Sequence, residues 1–249
     1  MEQDNQQAEV PEEPQRKANA PIFNFPALIS FSIGLLVLIY GAQSLLLPPD
    51  WADWFVVTFA FIPARYVHPL TAEDLSWLWT PVSYSLLHAS WQHLLFNVLW
   101  MSIFGTPVVR RIGTLRYFLF WIGSSAAAAA FYALLHWGQA VLLIGASGAI
   151  SALMGAACRF AFPANGWPYD PQKGHLYPLQ SFGDVFTNRT VVVYIAAWLF
   201  GNVVVGLGLP IFGDIGGAVA WEAHLGGFVF GFVLFGLFDP QRHQRGISS

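Results

Sequence analysis

The chain has 249 residues, 55% of them hydrophobic and only 10% charged, and its mean hydropathy is +0.52. Soluble domains carry roughly 25% charged residues, so this composition excludes an ordinary water-soluble domain and reads as a membrane protein. A net charge of −3 without a basic stripe gives no support for nucleic-acid binding, and a lone cysteine, Cys158, excludes an intramolecular disulfide or a cysteine-built metal cluster.

Met1–Ala20 hold five acids and almost no large apolar side chain. Residues 1–24 are therefore expected to be a disordered tail, and they lack the basic region and short apolar core of a cleavable signal peptide. Ala27–Leu47 is free of charge for 21 residues, long enough at about 1.5 Å per residue to cross a hydrocarbon core of about 30 Å. Between Pro48 and Ser76, Trp51, Trp54, Phe55, Phe59 and Phe61 alternate with Asp50, Asp53, Arg65, Glu73 and Asp74. This stretch is too polar to cross and too aromatic for a plain loop, which predicts an interfacial position. A second span is expected over Leu78–Gly105, carrying His88, His93 and Asn97. Tyr117–Cys158 is uncharged and broken at His136-Trp137-Gly138-Gln139, which predicts spans three and four around a tight turn. Span five is expected over Thr190–Leu209 and span six over Gly216–Phe238, after a Pro- and Gly-rich loop at Phe162–Asn188. The fold class is thus an all-α membrane protein of six transmembrane helices over residues 25–239, with a short tail at 240–249.

Arg16, Lys17, Arg110, Arg111, Arg116, Arg159, Lys173, Arg189, Arg242 and Arg245 fall on one side of these spans, and Arg65 alone falls on the other. The excess of basic residues marks the cytoplasmic side, so both termini are expected in the cytoplasm. Ser147, near the start of span four, and His224, near the start of span six, are then both expected close to the non-cytoplasmic face.

Polar groups within apolar segments need a partner or a function. A serine alone in an apolar helix is usually a packing residue, and a lone histidine usually bonds a neighbouring helix. The surroundings of these two point further. Gly145, Gly148, Ala152 and Gly155 lie around Ser147, and Gly227 and Gly231 flank His224. Small residues let helix backbones approach, and only close approach lets a short serine side chain reach an imidazole on another helix. His93 and Asn97, four residues apart, project from one side of span two. With the backbone N–H of Ser147 they are candidate donors to an oxyanion. His88 is about 140° around the helix from His93, poorly placed to share a metal ion, and is assigned to packing or loop anchoring. No metal or other cofactor is expected. Gly145-Ala146-Ser147-Gly148 is not the G-x-S-x-G elbow of soluble hydrolases. Glu222, the only acid in a span, lies about 200° around the helix from His224, so the chemistry is expected to be a Ser-His dyad without a carboxylate.

His88-x4-His93-x3-Asn97, Gly145-x-Ser147-Gly148 and Ala223-His224-x2-Gly227-x3-Gly231 together resemble the motifs of the rhomboid intramembrane serine proteases, over Phe25–Phe238. The resemblance implies that Ser147 is the nucleophile and His224 the general base and acid, with His93 and Asn97 bordering the oxyanion hole. It also implies a water-filled cavity open to the non-cytoplasmic side, a first loop partly immersed in the membrane, and a mobile cap at Pro210–Gly217. Transmembrane proteins would be the substrates and lipid the surroundings, in a bacterial inner membrane. Two positions depart from the family pattern. A Trp-Arg pair common in the first loop is replaced here by Trp77-Leu78 and Trp79-Thr80. An aromatic residue that packs on the catalytic histidine is replaced by Ser151, which leaves Ser151 itself as a candidate support for the ring. A catalytically silent relative that only binds membrane clients would typically lack the serine or the histidine, and a transporter would more often show internal repeats or midplane charges.

Overall fold

The computed structural model describes residues 25–67, 75–163, 170, 172–206 and 219–241. The expected N-terminal tail, all but the first two residues of the expected tail at 240–249, and the cap at Pro210–Gly217 lie outside these residues. Among the described residues every regular element is helical, and the only strand-like pairing is an isolated antiparallel bridge between Phe61 and Leu143.

Helix α1 (Ala27–Leu45) buries only Ile29, Leu36 and Tyr40, a single stripe at i, i+7 and i+11. Its hydroxyls bond within the helix, Ser32 to the Leu28 carbonyl and Ser44 to that of Tyr40, so they leave no unmet polar group on an apolar surface. Helix α2 (Pro49–Phe59) has no buried residue and exposes Trp51 and Trp54, in keeping with the interfacial expectation. The four carbonyls at its C-terminal end are taken up by side chains from outside the helix. Arg65 donates to Val57 and Ala60, the Trp79 indole to Thr58, and the Ser83 hydroxyl to Phe59. These are the groups that a helix end leaves unpaired. The first loop is thus anchored by Arg65 and Trp79 in place of a Trp-Arg pair, with Tyr66 tied to the Trp77 carbonyl and Phe61 bridged to Leu143.

The expected second span starts later than Leu78. Residues 76–86 form two 3-10 turns with the single helical turn α3 (Thr80–Ser83) between them, and Leu87 is extended. Regular helix begins at α4 (Trp91–Trp100), where the Ser90 hydroxyl accepts from the His93 N–H as an N-cap. A π-helical turn at Met101–Gly105 leads into α5 (Thr106–Leu135), which is broken at Gly113, whose φ is 73°. The expected loop between spans two and three is therefore a kink within a 45-residue apolar helical stretch, Trp91–Leu135.

Arg111 was grouped with the loop charges, yet it is buried. Its guanidinium makes a two-pronged pair with Asp239, at 2.8 and 3.1 Å, and donates to the carbonyls of His175 and Tyr177. Arg159 is also buried, donating to the Phe232 and Gln180 carbonyls and lying over the Phe182 ring. Buried charges are tolerable only when fully met in this way.

Helix α6 (Ser147–Cys158) is the centre of the protein: every residue from Gly148 to Cys158 is buried. Its 12 residues span only about 18 Å, less than a hydrocarbon core. Residues 139–146, outside any helix, lead into it. Short α7 (Phe182–Thr187) carries a Ser181–Asp184 capping box and leads to α8 (Arg189–Gly206). Helix α9 (Trp221–Leu234) ends the fold with a 3-10 turn at Phe235–Leu237. By length and hydropathy two described stretches suffice to cross a membrane, Ala27–Leu45 and Trp91–Leu135; the apolar helices at Ser147–Cys158, Arg189–Val204 and Trp221–Leu237 are shorter.

Helices α6 and α9 pack backbone to backbone. A Cβ on Gly227 would overlap the Gly148 carbonyl oxygen, one on Gly231 that of Ala152, and one on Gly155 that of Phe228. Gly34 of α1, by contrast, has open space around it. We predict that Gly231→Ala lowers the thermal midpoint in detergent by the equivalent of about 1–3 kcal/mol or more, as overpacking does. Gly34→Ala should be neutral or slightly stabilising through helix propensity. Equal midpoints for the two variants would contradict the packing described.

Candidate active site

Gly145 has a φ of 121°, a left-handed conformation that suits glycine, and a side chain there would collide with the His93 ring. This glycine lets the extended segment turn into α6 directly beneath His93, with its N–H held by the Tyr84 carbonyl. Ser147 is then the first residue of α6, where backbone N–H groups have no helical acceptor and point outward along the positive end of the helix. The first intrahelical bond runs from the Ile150 N–H to the Ala146 carbonyl.

His224 lies in the first turn of α9, and the two helices run in the same direction, Gly148 against Gly227 and Ala152 against Gly231. The parallel contact brings the two first turns side by side. His224 Nε2 is 2.8 Å from Ser147 Oγ. Its other nitrogen, Nδ1, is 2.7 Å from the side-chain oxygen of Asn202 on α8. Both ring nitrogens are thereby occupied, and the support expected from Ser151 is not what holds the ring. Ser151 is buried in α6, and the third group is an amide that the sequence reading passed over. Asn202 carried one available signal: it is the sole carboxamide in the apolar run Thr190–Leu209, where an unmet polar group is costly.

His93 and Asn97 sit on the same side of α4, as their spacing requires. The His93 ring lies against Gly145 near Ser147 Oγ, and Asn97, buried, donates one N–H to the His93 carbonyl. An amide nitrogen has a second hydrogen to offer. The His88 ring is fully buried and packs edge-on against His93 at 5.1 Å, in keeping with a packing role. Glu222 points away from His224, in line with its position on the helix. It is buried, and its carboxylate lies 3.1 Å from His136 Nε2, while His136 Nδ1 faces Gln139. The acid is therefore engaged with the turn after α5 rather than with His224.

The arrangement has the parts for attack on a carbonyl: a hydroxyl hydrogen-bonded to an imidazole, and unsatisfied N–H donors from a helix start, with His93 and Asn97 beside it. Comparisons with known proteins show what the chain is similar to. A family model described as the rhomboid domain matches residues 76–240. The chain is 30% identical over 180 residues to rhomboid protease GlpG of Serratia proteamaculans, covering 71% of this chain and 53% of that protein. It is 23% identical over 237 residues to rhomboid protease GlpG of Yersinia pestis, covering 94% of this chain and 68% of that one. The chain thus spans about half the length of the first relative.

From the pairing of Glu222 with His136, Glu222→Gln should keep turnover of a cleavable substrate within about tenfold of the parent, because its carboxylate does not orient His224. A working triad acid would cost on the order of ten-thousand-fold. A loss of that size in a variant that still folds would place the carboxylate in the chemistry.

Proposed function

Because the chain belongs to the rhomboid family, we propose that it is an intramembrane serine endopeptidase acting on transmembrane proteins through Ser147 and His224. The observation that carries this reading is the 2.8 Å contact between Ser147 Oγ and His224 Nε2, made between two helices that each begin at the site. In the proposed reaction Ser147 Oγ attacks the scissile carbonyl while its proton passes to His224 Nε2. Collapse of the tetrahedral intermediate breaks the C–N bond, and His224 returns the proton to the leaving amine. Water then hydrolyses the acyl-enzyme with the same histidine acting as base. The developing oxyanion would be met by the backbone N–H at the start of α6, by Asn97 and by His93.

The proposal includes six membrane crossings with both termini cytoplasmic. The kink at Gly113 would separate spans two and three at the cytoplasmic side, and the short α6 would hang from extended chain on the other. The site would then lie below the outer face, within reach of water, and substrate spans would begin near that face with small or helix-breaking residues. A regular helix keeps the scissile carbonyl hydrogen-bonded, so local unwinding favours attack.

Ser147→Ala and His224→Ala should each abolish cleavage of a reporter transmembrane substrate, by about six orders of magnitude, since the two act as one unit. A serine-directed fluorophosphonate should label the parent at Ser147 and label neither variant. Cleavage by the Ser147→Ala variant at the parent rate would end this reading. Asn97→Ala should slow turnover by about a hundred- to a thousand-fold with little change in KM, the cost of one oxyanion donor. A change confined to KM would instead make Asn97 a substrate-binding residue.

A further inference from the structure

We propose that Asn202 is a positioning residue of the catalytic unit: its side-chain oxygen fixes the tautomer and the orientation of His224, so that Ser147, His224 and Asn202 work as a serine, imidazole and amide in series. This rests on the serine-protease reading above.

Asn202 Nδ2 donates to the Trp198 carbonyl at 2.8 Å, one turn back on α8. That bond sets which end of the amide faces α9, and it presents Oδ1 to His224 Nδ1 at 2.7 Å. A carbonyl oxygen only accepts, so Nδ1 must carry the ring hydrogen. Neutral imidazole has one N–H, so Nε2 is left with a lone pair towards Ser147 Oγ at 2.8 Å, which is the form a general base needs. The opposite tautomer would make Nε2 a donor to Ser147 Oγ, leaving no base for the hydroxyl proton, and would set a lone pair against Oδ1.

The amide is also held in place. Helices α8 and α9 run antiparallel along a seam of three contacts spaced about one turn apart. Gly206 sits against the Trp221 ring, Asn202 against His224, and the Trp198 ring stacks on Phe228 with centroids 4.5 Å apart. Packing above and below leaves the Asn202 oxygen little freedom to swing away. Other supports are spoken for: the position one turn after Ser147 is the small Ser151, and Glu222 is bonded to His136.

During attack the proton leaves Ser147 Oγ for Nε2 as the Oγ–C bond forms, and the ring becomes imidazolium. Its Nδ1–H stays donated to Oδ1, and the amide itself takes no proton. When the amine departs, Nε2 gives the proton to it and the ring returns to the same tautomer. A neutral amide stabilises imidazolium less than a carboxylate does, so its effect on rate is correspondingly smaller.

The test compares the full-length parent with Asn202→Leu, which keeps the shape but lacks an acceptor, and Asn202→Asp, which keeps one. Asn202→Leu should lower kcat and the rate of fluorophosphonate labelling of Ser147 by about ten- to a hundredfold, with KM within about twofold. Asn202→Asp should recover most of that loss. Imidazole 15N spectra, with the His224 signal identified by its loss in His224→Ala, should show the Nδ1-protonated form in the parent and a mixture in the Leu variant. An Asn202→Leu variant with parental kcat and labelling overturns the inference. So does a loss of activity that tracks a loss of folded protein while the tautomer stays unchanged, because Asn202 would then only join two helices. Failure of the protease reading itself shows in the parent, which would neither label nor cleave, whereas failure of the Asn202 inference shows in the variants.

Discussion

The close approach of α6 and α9 is the contact on which the rest of the structure depends. Lipid is as apolar as a leucine side chain, so helices gain little from merely hiding apolar surface from it, and tight van der Waals packing has to hold them together. Gly155, Gly227 and Gly231 supply that packing by leaving no Cβ between the two backbones. The same contact determines the distance between Ser147 and His224. A serine side chain reaches only a short way, and 2.8 Å between Oγ and Nε2 requires backbones this close. Because the helices run parallel from a shared starting level, their first turns meet, and with them the hydroxyl, the imidazole and the free N–H groups of α6.

The two ends of this central pair are secured by different chemistry. Ahead of α6 the chain is bridged through Leu143 to Phe61, which directly follows α2, whose terminal carbonyls are met by Arg65, Trp79 and Ser83. The first loop is thus hydrogen-bonded into the same framework that carries Gly145 and Ser147. At the opposite end, Arg111 and Arg159 are buried, Arg111 donating to Asp239 and to backbone carbonyls and Arg159 to backbone carbonyls. Such pairs contribute more to fixing which segments are neighbours than to net stability, since desolvation offsets much of their attraction. The Arg111–Asp239 pair links residues 128 positions apart, the first turns of α5 to the segment that follows α9.

Sequence by itself determined the apolar segments and the small-residue faces, and it singled out Ser147, His224, His93 and Asn97 as candidates but not Asn202. These are local properties: a charge-free run, a Gly-xxx-Gly spacing and a four-residue interval between His93 and Asn97 each keep their meaning whatever the rest of the chain does. The membership of the chain in the rhomboid family was legible for the same reason, since the motifs lie in three short stretches. The shapes of the segments were less so. The second span was expected from Leu78, but proline, an extended Leu87 and the Ser90 cap delay regular helix to Trp91, and the Gly145 turn shortens α6 to 12 residues.

What only the tertiary structure decided is which polar groups face one another. Asn202 meets His224, Glu222 meets His136, Arg111 meets Asp239, and Trp79 meets the end of α2. None of these pairings has a local spacing to announce it. In a soluble protein the alternation of apolar and polar residues tells a core face from a solvated one, but here lipid and core are both apolar. A helix such as α8 therefore carries no label for the face that turns inward. That face is selected when the helix packs, and the physical reason is the cost of an unmet polar group in an apolar medium: Asn202 has to find a partner, and the imidazole of α9 is the one within reach.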